Sequence, residues 1–473
     1  MSWPQVADIA QKVQSSELKA QDLVDRALSA VQEKQSLKPI ISETSQRAKT
    51  RAAELDNQIA KGKKVGRLAG VPFIAKDNFL AYGSKTTAAS NILRPFQAPY
   101  QATAIERLEA EGAILVAKAN LDAFAHGSST ENSDFFTTKN PYDHSRVPGG
   151  SSGGSAVAVA TEIVPFALGT DTGGSIRQPA GFCGVVGYKP TYGLVSRSGV
   201  IAMASSTDVI GPITRTVADT AQVLDIMAGR DELDSTTIDR DKKGYLPERA
   251  GSLKNVRVGV IREYMEHGVE SGVKQVVNLA IEKIKTAGAK ISEVSLPSLP
   301  LALAVYYIIC PAEVSSNLAR YDGQRYGFSE PQAQDLLSSY ELTRDHGFGP
   351  EAKRRIMIGT YVLSSGYYDA YYKKAQTVRT KIIDEFSNKF EKYDFLIGPT
   401  SPTTAFKIGE RVDDPLSMYL SDIMTVAANV SGNPSISLPA GMANGLPVGL
   451  QIIGPMRGDR ALLSFAQDVE GLL

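Results

Sequence analysis

The amino-acid sequence predicts an α/β protein built on one large, mixed but mostly parallel β-sheet with helices on both faces. Three observations predict it: a helical first segment, short apolar runs that alternate with helical segments from about residue 70 onward, and a helical, tyrosine-rich stretch late in the chain. A length of 473 residues provides for a large core, and mixed α/β folds carry such a length as one unit. We therefore expect a single domain over residues 1–473.

Helices are predicted at both the start and the later part of the chain. In the first 60 residues, apolar side chains recur at the spacing of one helix face, as at Leu23, Ala27, Leu28 and Val31. Residues 300–390 are rich in tyrosine and also favour helices. We expect this later segment to form a mainly helical cap over one end of the sheet.

Short apolar runs predict the strands, because strands buried on both faces are apolar throughout instead of alternating. The runs are Val71 to Ala75, Ile114 to Ala117, Val164 to Leu168, Val256 to Ile261, Phe395 to Ile397 and Ile452 to Ile453. Helical segments separate several of them, which is typical of a sheet covered on both sides.

Composition and charge exclude several classes of protein. Lysine plus arginine equals aspartate plus glutamate at 51 each, so no overall field attracts the chain to nucleic acid or anionic lipid. No apolar run reaches the roughly 18 to 20 residues of a membrane span. The start lacks the pattern of a secretion signal, and two cysteines, Cys183 and Cys310, fit a reducing compartment. We expect a cytoplasmic protein that does not enter a membrane.

Two serines lie in separate glycine-rich turns, each just before a predicted helix. Ser151 lies in the run from residue 147 to 155, and Ser175 in the run from 169 to 179. Glycine turns and helix starts let backbone N–H groups converge on one substrate atom. The N–H groups of Thr172, Gly173, Gly174 and Ser175 are therefore candidates for an oxyanion hole.

A serine nucleophile needs a base, and the sequence offers two kinds. The Gly-x-Ser-x-Gly pattern at residues 149–153 suggests a nucleophile elbow with a histidine, but a loop precedes it where that motif needs a strand. His126 and His144 come before the motif, and His267 and His346 lie in polar surroundings typical of a solvated surface.

Lys76 is the second kind of base, because it closes the apolar run that starts at Leu68. Removal of a lysine from water lowers its pKa and leaves a neutral amine that accepts a proton. The alternative is a structural lysine whose amine reaches solvent from the strand end.

These three segments together resemble the amidase signature family. Ser151 follows Lys76 by 75 residues and Ser175 follows Ser151 by 24, which matches the Ser-cisSer-Lys triad of that family. The resemblance implies that Ser175 is the nucleophile, that Ser151 follows a cis peptide bond, and that Ser151 relays the proton to Lys76.

Within that family the chain resembles the branch that serves tRNA-dependent amidotransferases, in residues 120–133, 312–323, 353–357 and 418–422. Ala123 and His126 depart from the glutamate and methionine expected there. The resemblance implies a glutaminase that frees ammonia for conversion of Glu-tRNA(Gln) to Gln-tRNA(Gln). It also implies a heterotrimer with subunits B and C, in which the partner subunit binds most of the tRNA together with ATP and magnesium.

Glutamine carries a carboxylate and an ammonium beside its amide, so its recognition calls for a fixed cation and a fixed anion. The resemblance assigns these roles to Arg355 and Asp422, with Ser128 and Tyr306 as polar contacts, although Tyr307 could replace Tyr306. The sequence has no phosphate-binding Gly-rich motif and no metal-ligand cluster, so no cofactor is expected in this chain. Two alternatives stay open: a standalone amidase for other carboxamides, and a non-catalytic scaffold.

Overall fold

The structure is a computed structural model that describes residues 2–247, 252–266 and 268–473. In these ranges eleven strands form one sheet. The strands are β1 (Ile40–Glu43), β2 (Pro72–Lys76), β3 (Ile114–Ala119), β4 (Phe166–Asp171), β5 (Val186–Lys189), β6 (Val209–Thr214), β7 (Arg257–Ile261), β8 (Lys290–Val294), β9 (Phe395–Pro399), β10 (Ser435–Ala443) and β11 (Leu446–Ile453).

Fifteen α-helices accompany the sheet in the same ranges. They are α1 (Val6–Gln14), α2 (Ala20–Glu33), α3 (Ser45–Ala60), α4 (Thr103–Ala110), α5 (Gly153–Ala160), α6 (Arg177–Cys183), α7 (Val217–Met227), α8 (Ser271–Thr286), α9 (Ala302–Leu318), α10 (Leu336–Gly347), α11 (Pro350–Leu363), α12 (Lys374–Phe390), α13 (Pro415–Leu420), α14 (Val426–Ser431) and α15 (Asp459–Glu470).

The sheet is mixed, in the order β1-β3-β2-β4-β6-β5-β10-β11-β9-β7-β8. Each of the six predicted apolar runs overlaps a strand, so the α/β class and the large mixed sheet are confirmed. The expectation of a mostly parallel sheet is wrong. Among neighbouring strands in the described ranges, four pairs are parallel and six are antiparallel.

A hairpin explains part of this difference. Asn444 and Gly445 join β10 to β11, and both have positive φ, at 52° and 79°. Asn-Gly in this conformation is the two-residue turn that suits antiparallel strands. Strands β5, β6 and β10, which no apolar run predicted, fill the middle of the sheet, and their pairs with one another and with β4 are antiparallel.

Helices pack on both faces of the sheet. Leu396 and Ile453 belong to one cluster of buried apolar side chains, whereas their neighbours Ile397 and Ile452 belong to another. Because successive side chains of a strand point to opposite faces, the two clusters lie on opposite sides of the sheet. Helices α1 to α3 and α8 contribute to one cluster, and α9, α12 and α14 contribute to the other.

The segment from 302 to 390 holds helices α9 to α12, as the tyrosine-rich pattern predicts. One stretch there, Leu299–Leu318, is long and apolar enough to span a membrane by composition. Half of it is buried within the protein, and Val305, Ile309 and Val314 belong to the cluster under α12 and α14. These contacts are those of a core helix.

Candidate active site

Lys76 ends β2 and lies inside a shell of hydroxyl groups. Its side chain is fully buried. The Nζ atom lies 2.7 Å from Ser151 Oγ, 3.0 Å from Ser152 Oγ and 2.9 Å from Thr170 Oγ1. The structure therefore brings two of the three predicted triad residues, Lys76 and Ser151, into direct contact.

The surroundings of Lys76 favour a neutral amine. Burial lowers its pKa from 10.5 to about 7, against the opposing effects of Asp122, Asp171 and Asp208. Unlike the buried Lys118, whose Nζ lies 2.8 Å from an Asp77 carboxylate oxygen, Lys76 forms no salt bridge within the described ranges. A neutral amine has two N–H groups and one lone pair. It can donate to Thr170 and Ser152 while it accepts the proton of Ser151.

The Ser151 turn is held by close backbone packing. The peptide bond between Gly150 and Ser151 is cis. The Gly150 N–H donates to Gln178 Oε1 at 2.9 Å. A Cβ atom on Gly150 would lie 2.2 Å from Asp122 Oδ2, so only glycine fits beside that carboxylate. The glycine run thus places Ser151 next to the lysine.

Ser175 lies between the end of β4 and the start of α6, in a turn that supplies unused donors. The N–H groups of Gly173, Gly174 and Ser175 donate to no other group in the part of the chain that the structure describes. Gly174 has φ of 141°, and a Cβ there would lie 2.1 Å from Thr425 Oγ1. Free N–H groups on such a turn suit a developing oxyanion. Thr172 directs its hydroxyl elsewhere, to Asp208 Oδ1 at 2.7 Å.

A buried ion pair anchors this turn. Arg177 donates from Nη2 to Asp171 Oδ1 at 2.9 Å and from Nε to Oδ2 at 3.0 Å. Burial alone would raise the pKa of Asp171, but Arg177 outweighs it and holds the pKa at about 2. The Ser175 carbonyl accepts a hydrogen bond from the Ser152 N–H at 3.1 Å. The turns that carry the two serines are therefore bonded to each other.

The predicted anion, Asp422, follows α13 and meets Ser128. Ser128 Oγ donates to Asp422 Oδ2 at 2.6 Å. Burial raises the pKa of Asp422 to about 7, against the lowering effects of the Ser128 hydrogen bond and of Arg355. Gln178 Nε2 also donates to the Ser128 carbonyl at 2.9 Å. Asp422 is thus connected through Ser128 and Gln178 to the Ser151 turn.

The predicted cation, Arg355, lies on α11 and is 2% exposed. Its Nε donates to Glu351 Oε1 at 2.8 Å. Its guanidinium carbon lies 5.4 Å from the ring centre of Tyr307 and 5.7 Å from that of Tyr419, within cation–π range. It forms no ion pair with Asp422 within the described residues. The two fixed charges therefore remain available to a ligand.

Tyr306 and Tyr307 have different positions. A Cβ atom on Gly173 would lie 2.8 Å from Tyr306 Cζ, so Tyr306 packs directly on the nucleophile turn. Tyr307 instead stacks on Tyr419 with ring centres 3.9 Å apart, beside Arg355. Tyr306 therefore lies beside the reacting amide, and Tyr307 beside the cation.

Histidine is not placed to act as the base. None of the three described histidines hydrogen-bonds Ser151 or Ser175. His144 is exposed, His346 is also exposed and bonds Glu330, and His126 is buried without a partner. His267 lies outside the described residues.

Several contacting residues were not found from the sequence: Ser152 and Thr170 around the lysine, and Gln178 and Asp122 around the Ser151 turn. Asp122 accepts from the N–H groups of Thr130 and Asn132, at 2.9 and 3.0 Å, and so shapes the turn that carries Ser128. Ser152 and Gln178 lie within the glycine-rich runs themselves, which was the available signal. The described residues contain no group of three or more His, Cys, Asp or Glu side chains placed to hold a metal ion.

Fold and site together are those of an enzyme that attacks carboxamides. The family model for amidases matches residues 22–463, and the chain belongs to this amidase family. The structure is also similar to that of a bacterial aryl acylamidase of the amidase signature enzymes, with a TM-score of 0.87 and 26% identity over 100% of this chain and 96% of that one.

Two further comparisons narrow the similarity. The chain is 53% identical to the A subunit of glutamyl-tRNA(Gln) amidotransferase from Geobacillus kaustophilus over 450 residues, which cover 95% of this chain and 93% of the relative. It is 43% identical to the A subunit of the amidotransferase of that name from Thermotoga maritima. The crystal structure of that protein gives a TM-score of 0.79 over 95% of this chain and 91% of the other.

Proposed function

We propose that this chain is the glutaminase subunit of a tRNA-dependent amidotransferase. It hydrolyses glutamine to glutamate and ammonia, and the ammonia converts Glu-tRNA(Gln) to Gln-tRNA(Gln). The observation that carries the substrate is the pair of buried opposite charges, Arg355 and Asp422, beside the serine turns. The similarity of the chain to amidotransferase subunits over nearly its whole length supports the reaction.

In this proposal Ser175 attacks the side-chain amide of glutamine. Ser151 accepts the proton of Ser175 while it passes its own to the neutral Lys76, whose Nζ lies 2.7 Å away. The N–H groups of Gly173, Gly174 and Ser175, with that of Thr172, stabilise the tetrahedral oxyanion. The proton then returns through Ser151 to the leaving ammonia.

Water completes the reaction by the same relay in reverse roles. Ser151 and Lys76 take a proton from water as it attacks the glutamyl ester, and they return that proton to Ser175. The burial of Lys76, Ser151 and Ser152 keeps bulk solvent from protonating the amine between these steps.

Glutamine binds through both of its charged groups. Arg355 pairs with the α-carboxylate, and Asp422 accepts from the α-ammonium with Ser128 beside it. Tyr306 packs against Gly173 next to the amide. Fixed charges on both sides of the substrate set the distance from the α-carbon to Ser175 and thereby select the side-chain length.

The partners in this proposal are subunits B and C, with which the chain forms a heterotrimer in the cytoplasm. ATP, magnesium and most of the tRNA bind to the partner subunit. No step of the reaction described above passes through them.

The experiment is a glutamine-dependent transamidation assay on the full-length chain purified with its co-expressed partners. We expect ammonia release from glutamine and its transfer to Glu-tRNA(Gln). A fluorophosphonate probe should label Ser175 in the same preparation and fail to label the Ser175→Ala variant. Hydrolysis of simple amides without hydrolysis of glutamine would instead identify a standalone amidase, and absence of labelling would identify a scaffold.

A further inference from the structure

His126 is buried, and its ring has no hydrogen-bond partner. The side chain is fully buried, and neither Nδ1 nor Nε2 bonds any group within the described residues. Its backbone is fixed on both sides, because the His126 N–H donates to the Ala123 carbonyl at 3.0 Å and the His126 carbonyl accepts from Asn132 Nδ2 at 2.8 Å. Buried polar atoms in folded proteins almost always have partners, so two unused ring nitrogens on a fixed backbone require an explanation.

The position of His126 offers one. It lies two residues before Ser128, and a small recess is lined by Gly127, Ser128, Arg355 and Tyr419. Burial lowers the pKa of the His126 imidazole well below its usual value, and the nearby Arg355 guanidinium lowers it further. The ring is therefore neutral, with one N–H donor and one acceptor nitrogen.

We propose that His126 is a specificity-determining residue that donates its unused ring N–H to the α-carboxylate of glutamine, alongside Arg355. This inference rests on the proposed function, because it takes glutamine as the substrate. A carboxylate accepts several hydrogen bonds, so it can bind a guanidinium and an imidazole together. A neutral donor adds a directional contact without a second buried cation beside Arg355.

Three substrates separate this role from simple packing. Glutamine carries both charged groups, glutaramate keeps the carboxylate and lacks the ammonium, and 4-aminobutanamide keeps the ammonium and lacks the carboxylate. Steady-state hydrolysis of each is measured with the full-length chain in the assembly in which it is purified. The variants are His126→Met, which fills the space without a hydrogen-bonding group, and His126→Asn, which keeps one donor and one acceptor. His144→Met is the control, because His144 is an exposed histidine.

We expect His126→Met to raise KM about tenfold or more for glutamine and glutaramate, with KM for 4-aminobutanamide within twofold of the parent. The value of kcat should stay within threefold for all three substrates. His126→Asn should recover part of the loss, and His144→Met should change nothing. Thermal unfolding of each variant establishes that the chains compared are folded.

Two outcomes would overturn the inference alone. In one, the parent hydrolyses glutamine and His126→Met leaves its KM unchanged. In the other, the variant weakens all three substrates equally, which indicates packing. If the parent hydrolyses 4-aminobutanamide and leaves glutamine intact, the proposed function fails and the carboxylate contact fails with it.

Discussion

The nucleophile region and the recognition region are built in different ways. Lys76, Ser151 and Ser175 lie within 100 consecutive residues, and backbone packing around glycines fixes the two serine turns. Arg355 and Asp422 come from separate helical segments, and side-chain hydrogen bonds to Glu351 and Ser128 hold them. The difference teaches that chemistry and substrate choice reside in separable parts of the molecule. Four predictions test this separation.

The largest effect is expected from Lys76→Met. Loss of the base should lower kcat about 10³-fold or more for every amide, because the same amine also returns the proton. Lys189 provides the matched control: it is fully buried, and burial lowers its pKa to about 7, but it lies outside the hydroxyl shell. Lys189→Met should keep kcat within tenfold of the parent. Equal losses in both variants, measured by ammonia release, would mean that removal of any buried lysine disables the fold.

The next effect separates two neighbouring serines that both contact Lys76. Ser151→Ala should lower kcat about 10²-fold or more, because it interrupts the relay. Ser152→Ala should lower it less than tenfold, because it removes only one donor–acceptor contact at 3.0 Å. Single-turnover acylation by a chromogenic ester or amide measures the two steps separately. A larger loss in Ser152→Ala would assign the relay to the other hydroxyl.

A smaller and selective effect is expected on the recognition side. Arg355→Ala should lower kcat/KM for glutamine about 10 to 100-fold, the loss of a charge-assisted hydrogen bond, and should change hydrolysis of an uncharged amide less than threefold. The exposed Arg325 provides the control, and Arg325→Ala should match the parent. If both substrates lose activity equally, the two regions are not separable.

The smallest effect is a pH dependence that isolates the nucleophile region. With an uncharged amide as substrate, kcat/KM should rise as pH increases through about 7, because Lys76 is protonated and inactive below its lowered pKa. The slope below that value should be tenfold per pH unit. With glutamine the rise should be steeper, since Asp422 also ionises at about 7. A pH-independent rate for the uncharged amide between pH 5 and 8 would contradict the neutral-lysine base.

The two regions also differ in how much the sequence predicts. The apolar runs located six strands, and the spacing of the lysine and the serines located the nucleophile region. The antiparallel middle of the sheet was missed, because β6 contains Gly211 and Pro212 and β5 contains Gly187, which interrupt an apolar run. The Asn444-Gly445 turn was the unused signal for the β10–β11 hairpin.

Contacts between distant segments could not be predicted from local pattern. Gln178 reaches both Gly150 and the Ser128 carbonyl, and Thr425 Oγ1 donates to the Gly173 carbonyl at 2.7 Å. Such hydrogen bonds depend on how α6 and α14 pack on the sheet. For Arg355 and Asp422, resemblance to a family supplied the assignment, because neither residue lies in a run with distinctive spacing.

The crowding around Gly150 and Gly154 has a consequence for protein engineering. A Cβ atom at Gly154 would lie 2.5 Å from two backbone carbonyl oxygens, those of Asn120 and Pro39, as severe a clash as that at Gly150. Libraries that vary these positions will yield mostly misfolded chains. A search for new amide substrates is better directed at side chains of α9 and α11 and at the segment around Asp422, where residues can be exchanged without moving the reacting hydroxyls.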